Sequence, residues 1–158
     1  DLTTIRPMTA DDLPALAAMY VRSFADPALC EHWTEPAAQA LLANWYARQP
    51  DLAFVAADDS KLLGAFVVGV RPWWDGNHLV DGELFVDDDS QGKGVASDLI
   101  REVLLQAKAK YAPVVWESYT FKGQDFPLNW YKRMGFREID EWVMIRADVA
   151  DVLNKLDT

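Results

Sequence analysis

Between an apolar strand and a long amphipathic helix the chain runs Val86-Asp87-Asp88-Asp89-Ser90-Gln91-Gly92-Lys93-Gly94-Val95-Ala96. A glycine-rich turn that opens a helix exposes several backbone N–H groups, and the helix dipole adds its positive end. The chemistry such a turn suits is the binding of phosphate oxygens. Two common phosphate motifs fit it badly. A P-loop needs Ser or Thr after Gly-Lys, to place a hydroxyl on magnesium, whereas Lys93 is followed by Gly94. A dinucleotide fingerprint needs a third small residue, which Ser97 supplies, and an acid about twenty places on. No acid stands between Leu104 and Tyr111.

A third pattern does fit. Gln91, Gly94 and Ala96 fill Gln-x-x-Gly-x-Ala, with Gly92 as an additional glycine. This resembles the pyrophosphate-binding signature of the GCN5-related N-acetyltransferases (GNAT), which bind acetyl-CoA. Further along, Asn129-Trp130-Tyr131-Lys132-Arg133-Met134-Gly135-Phe136 is similar to the same family's second landmark, a short helix with a tyrosine four residues before Gly-Phe. Gly135 reads as a left-handed residue just past that helix, and Phe136 as the opening of a strand.

The resemblance implies acetyl-CoA as acetyl donor and acyl transfer to an amine. It sets the pantetheine against the backbone of Leu84, Phe85 and Val86. It sets the pyrophosphate against the N–H groups of Gln91, Gly92, Lys93, Gly94, Val95 and Ala96. Tyr131 takes the place of the acid that protonates the departing thiolate, and a backbone N–H of Phe85 or Val86 that of the donor to the thioester carbonyl. Glu83, on the strand entering the site, holds the place of a general base. Strand alternation sets Asp81 on the same face as Glu83, where the two carboxylates share recognition of a cationic acceptor or simply face solvent. Glu117 is a second candidate base and His78 a weaker one, since a lone histidine opening a strand is more often a surface residue. An asparagine that commonly contacts the cofactor is replaced here by Gln124, with Asn129 as the alternative contact or a plain helix cap.

Seven large aromatics, Trp33, Trp45, Trp73, Trp74, Trp116, Tyr119 and Phe121, invite a cation-binding role for those in loops, Trp73 and Trp74 above all. With Asp81 and Glu117 they are the expected acceptor contacts, and a polyamine, an aminoglycoside-like sugar amine and a peptide amine all remain open. The competing function is a noncatalytic acyl-CoA-binding sensor or regulatory module. A net charge of −10 argues against nucleic acid and anionic membranes as partners. No apolar run approaches a membrane span and no secretory segment leads the chain, so a cytoplasmic location is expected. Homodimerisation is left open. The single cysteine, Cys30, rules out an intramolecular disulfide and reads as a buried apolar side chain; with two histidines beside it, no zinc-ligand spacing exists and no metal is expected.

The elements that must position these residues follow from periodicity. Leu2 to Arg6 reads as a strand, and Thr9 with Asp12 as a capping box before a helix carrying Leu13, Leu16, Ala17, Tyr20 and Phe24 on one face. A second helix starts near Thr34, with Pro36 in its first turn and Leu41, Leu42, Trp45 and Tyr46 inward. The intervening Ala25 to Trp33 is irregular. Leu52 to Ala57 and Leu62 to Val70 read as a hairpin, Arg71 to Asn77 as a loop, and His78 to Val86 as a third strand. The helix after the glycine turn buries Val95, Leu99, Val103 and Ala107. Val114 to Tyr119 is a strand, Phe136 to Ile139 and Trp142 to Arg146 a closing strand pair, and Asp148 to Leu156 a terminal helix. The expected architecture is mixed α/β (α+β): a mostly antiparallel twisted sheet flanked by helices, GNAT-like, in one domain over residues 1–158 of the 158.

Overall fold

The computed structural model describes residues 3–59, 61–123 and 125–158, with the Asp81 side chain also outside the description. The expected contacts of Gln124 therefore lie outside the described residues. The chain forms two compact units, Asp1–Tyr119 and Thr120–Thr158.

The first unit is built on a sheet ordered β1-β2-β3-β4-β5. Its strands are β1 (Thr4–Pro7), β2 (Ala53–Asp58), β3 (Lys61–Trp73), β4 (Gly76–Val86) and β5 (Val115–Trp116). The first four pair antiparallel and β5 joins β4 in parallel. Helices α1 (Leu13–Ser23) and α2 (Glu35–Arg48) contribute Leu16, Ala17, Tyr20, Leu42 and Trp45 to one core with Val55, Ala65, Val67 and Phe85 of the sheet. Helix α3 (Val95–Tyr111) buries Val95, Leu99, Ile100, Val103 and Ala107, the stripe that its heptad-like spacing marks out.

Local signals start the helices as expected. Asp12 accepts the Thr9 N–H at 2.8 Å and also holds Arg6 through two bonds of 2.8 Å. The Thr34 hydroxyl accepts from Ala37 N–H at 3.3 Å, with Pro36 in the first turn where a missing N–H costs nothing.

Four expectations are corrected. The stretch from Arg71 to Asn77 is not a loop: β3 runs to Trp73 and β4 begins at Gly76, so only Trp74 and Asp75 turn the chain. Pro72 pairs with Asn77 at the end of the hairpin, where a lost N–H is tolerated. Cys30 is exposed, because the α1–α2 connection runs over the surface. His78 is buried, at 5% exposure, held by carboxylates on two sides. In the second unit, Phe136 to Ile139 and Trp142 to Arg146 form no ladder among the described residues. Alternation makes a segment fit for a sheet, but a strand needs a partner, and that unit supplies only α4 (Asp125–Arg133) and α5 (Val149–Leu156).

Candidate active site

The register of β3 against β4 shifts by one residue between Val80–Gly69 and Glu83–Val67, so β4 bulges there. Only glycine fits the bulge at position 82, since a Cβ would lie 2.0 Å from the Val67 carbonyl oxygen. The bulge interrupts the strand alternation just before Glu83, and the expected face of the Asp81 side chain lies outside the description. Past it, Val67 and Ala65 pair with Glu83 and Phe85, and both Val67 and Ala65 belong to the core shared with α1. Glu83 thus turns toward α1.

There Tyr20, buried on α1, donates its hydroxyl to Glu83 Oε2 at 3.1 Å. The Tyr20 ring meets Phe85 edge-on at 5.2 Å and Trp33 at 5.1 Å. Burial in these aromatic surroundings pushes the Glu83 carboxyl up to about 7; the Tyr20 hydrogen bond opposes the rise and the charge of Glu31 adds to it. A carboxyl so placed exchanges its proton near neutral pH, which is what a general base requires. Burial together with the Glu83 charge pushes the Tyr20 phenol upward, so Tyr20 stays a donor.

Beyond Leu79 the β5 side of β4 carries no ladder among the described residues. The last bonds are the pairs His78–Val115 and Leu79–Trp116 and the Glu117 N–H to the Leu79 carbonyl at 2.9 Å. Asp87 donates its N–H to Leu63 of β3 at 2.8 Å. Backbone groups alternate edges along a strand, so Phe85 and Glu83 also turn theirs to β3, and Leu84 and Val86 present theirs to the open edge. Of the two expected donors to a thioester carbonyl, Val86 faces that edge and Phe85 does not. From the same side the Gln91 side-chain amide donates to the Val86 carbonyl at 3.2 Å, tying the glycine turn to the end of β4.

The turn itself uses left-handed backbone at Gly92 (φ 75°) and Gly94 (φ 83°), which disfavours any side chain. A Cβ built on either glycine meets nothing within 4 Å, so the space over the turn is open. Gly94 caps α3 without a side chain, and the first helical bond is Asp98 N–H to the Gly94 carbonyl at 3.0 Å. The N–H groups of Val95, Ala96 and Ser97 precede that ladder and so have no acceptor within the helix. Lys93 is exposed beside them. The run of aspartates before an anion site is accommodated: Arg22 stands 3.6 Å from Asp87, while Asp88 and Asp89 are exposed. These features fit a pyrophosphate-bearing ligand.

Glu117 is engaged elsewhere. It packs against His78 Nδ1 and accepts from Arg71 at 3.1 Å, while Asp75 Oδ1 lies 2.7 Å from His78 Nε2. Burial lowers the His78 pKa, but hydrogen bonds to Asp75 and Glu117 outweigh it and the net direction is upward. Carboxylates at both nitrogens favour the protonated ring, which can donate to each of them. Trp73 lies under Arg71 at 4.6 Å, and Trp74 is exposed in the hairpin turn. A concavity among the described residues of the first unit lies at the α1–α2 connection, at Phe24, Glu31 and Trp33. Tyr20, the hydrogen-bond partner of Glu83, is not marked as such by the sequence, because a tyrosine on an apolar helix stripe reads as core.

In the second unit Tyr131 and Asn129 lie on α4. That helix ends in a Schellman motif: Phe136 N–H reaches the Tyr131 carbonyl at 3.2 Å, Gly135 N–H reaches Lys132 at 3.0 Å, and Gly135 has φ 104°. The Tyr131 and Phe136 rings meet at 5.0 Å, the apolar contact that accompanies this cap. The tyrosine-to-Gly-Phe spacing is therefore the spacing of a helix cap.

The profile of a family described as "Acetyltransferase (GNAT) domain" matches residues 49–138. The fold is similar to that of a possible acetyltransferase from Clostridium difficile 630 (TM-score 0.76, 16% identity, 94% of this chain and 99% of that one). It is also similar to a predicted acetyltransferase with acetyl-CoA from Clostridium acetobutylicum (TM-score 0.70, 15% identity, 92% and 96%). An aminoglycoside antibiotic 6'-N-acetyltransferase from Acinetobacter haemolyticus matches with TM-score 0.70 and 17% identity over 92% of this chain and 99% of that one. At such identities the likeness is one of fold. No curated protein matches the sequence.

Proposed function

Because this chain belongs to the GNAT acetyltransferase family, we propose that it moves an acetyl group from acetyl-CoA to the amine of a small cationic acceptor by direct attack. The observation that carries the reading is the edge of β4 beyond Leu79, which pairs with no strand among the described residues, running into the left-handed Gly92 and Gly94 turn at the start of α3. Along that edge the backbone of Leu84 and Val86 would hold a pantetheine chain, and the N–H groups from Gly92 to Ala96, with Lys93, a pyrophosphate. The structure with acetyl-CoA from Clostridium acetobutylicum supports that choice of donor for this fold. Bound acetyl-CoA supplies an activated thioester carbonyl.

The remaining work belongs to side chains and backbone of this protein. Val86 N–H donates to the carbonyl oxygen as negative charge develops there. Glu83, titrating at about 7, accepts a proton from the acceptor ammonium directly or through water. Tyr131 donates a proton to the departing sulfur, a role supported by its place in the tyrosine-to-Gly-Phe landmark within the matched region. An acidic chain of net charge −10 draws cationic amines toward it.

The test has two arms. Coenzyme A at millimolar concentration should raise the melting temperature, since a ligand that binds only the folded chain stabilises it. Thiol release from acetyl-CoA across an array of amines should then show turnover. Stabilisation without turnover on any amine points to the noncatalytic acyl-CoA-binding module, and no stabilisation removes the site.

A further inference from the structure

A phenylalanine would fill the core position of Tyr20 as well as a tyrosine does. The residue is 3% exposed, and its ring sits against Phe24 at 4.4 Å, Trp33 at 5.1 Å and Phe85 at 5.2 Å. The hydroxyl is what apolar packing does not require, since a buried O–H costs free energy unless it finds an acceptor. Its acceptor is Glu83 Oε2 at 3.1 Å, 63 residues away in sequence. Phe85, which meets the Tyr20 ring edge-on, stands on the same face of β4 as Glu83, so one side chain of α1 engages both.

Packed against three rings, the phenol has no room to swing, and the packing of α1 fixes where its oxygen lies. Among the described residues no other hydrogen-bond donor and no basic group reaches the Glu83 carboxylate. Tyr20 therefore takes Oε2 and leaves Oε1 without a protein partner among those residues. A half-buried glutamate tied at neither oxygen would sample several rotamers; tied at Oε2 it keeps one. The bond acts on the proton as well. The ionisable groups acting on Glu83 are Tyr20 from α1 and Glu31 from the α1–α2 connection, while Val67 and Ala65 of β3 and Phe85 of β4 are apolar. Burial and the Glu31 charge favour the neutral acid, and the Tyr20 hydrogen bond favours the carboxylate. Tyr20 keeps its own proton, because burial and the Glu83 charge push the phenol upward.

We propose that Tyr20 is a positioning residue of the transfer reaction: its hydroxyl fixes Glu83 Oε2 and leaves Oε1 to receive the proton of the acceptor amine. This rests on the reading of Glu83 as the base and adds the residue through which α1 controls it. Tyr20 acts through Glu83 and neither gives nor takes a proton in the step.

Tyr20→Phe keeps the ring and removes the hydroxyl. The carboxyl carbon of Glu83 is followed against pH by carbon NMR in the full chain, with Glu83→Gln assigning the resonance. Its midpoint, at about 7 in the wild type, should lie about one pH unit higher in Tyr20→Phe, the size of a lost hydrogen bond to a charged group. On the best amine found, kcat/KM of Tyr20→Phe should fall roughly fivefold at about pH 7, the ratio of the ionised fractions, and its acid limb should move up with the carboxyl. Added to Glu83→Gln, the same substitution should cost little further rate, because a residue acting through Glu83 has nothing left to act on. An unmoved midpoint, or a loss of rate that is the same with Glu83 and without it, overturns the proposal and returns Tyr20 to packing. If Tyr20→Phe does not fold, the wild type carries the test. The Tyr20 ring carbon that bears the hydroxyl should shift with the midpoint of Glu83 and stop shifting in Glu83→Gln; a flat profile overturns the coupling. If no amine is acetylated, the acetyl-transfer reading fails by itself, and the carboxyl titration still decides whether Tyr20 governs Glu83.

Discussion

Replacing Glu83 by Gln keeps the shape of the side chain and an acceptor for the Tyr20 hydroxyl while removing the charge. A carboxyl that ordinarily titrates at 4.5 and here titrates at about 7 favours the protonated native state between those values. The folded chain then binds more protons than the unfolded one, so stability falls as pH rises from about 4.5 to about 7 and stays lower above. The difference of about 2.5 in pKa corresponds to roughly 3 kcal/mol. Partial exposure of the half-buried carboxyl reduces this to about 2 kcal/mol. Glu83→Gln should therefore match wild type in stability at about pH 4 and exceed it at about pH 8.5, by roughly 4–8 °C in melting temperature. Activity should move the other way. Wild-type kcat/KM should rise with pH through an apparent pKa near 7, and the variant should lack that limb and recover partly at high pH, where more of the acceptor is already neutral. Two outcomes would refute the reasoning: a stability difference that is the same at both pH values, or an acid limb that persists in the variant.

Gly94→Asp places a carboxylate at a left-handed position over the phosphate site, costing about 1–2 kcal/mol in backbone strain. Circular dichroism should show the fold retained while coenzyme A no longer raises the melting temperature; a persisting shift would move the pyrophosphate elsewhere. Tyr131→Phe should lower single-turnover rates by about tenfold to a thousandfold with little change in coenzyme A affinity, and unchanged rates would return Tyr131 to a packing role. His78→Asn removes the imidazolium between Asp75 and Glu117 and should cost about 1–3 kcal/mol at pH 6 in urea denaturation. Because the His78 pKa is raised, its contribution is complete below the ordinary 6.5 and is lost as pH climbs through the folded value, so the gap to wild type should narrow at alkaline pH. A gap that is constant with pH would mean the ring is neutral.

Features that depend on a few neighbouring residues were legible in the amino-acid order. The left-handed turn at Gly92 and Gly94, the Thr34 cap, the buried stripe of α3 and the Gly135 helix end all follow from short-range backbone sterics and helical period.

What tertiary structure alone decided has partners distant in sequence. Glu83 acquires its pKa from burial beside Tyr20, 63 residues away, and no local pattern marks Tyr20 as more than one stripe residue among several. The bulge at Gly82 resets which β4 residues face α1, because one extra residue reverses the alternation a linear reading assumes. Glu117 could be read as a free carboxylate until β5 came to lie beside β4 and brought it to His78 and Arg71. Helix ends and glycine turns are set by interactions within a few residues, whereas protonation, burial and strand pairing are set by whichever distant segment folds against them.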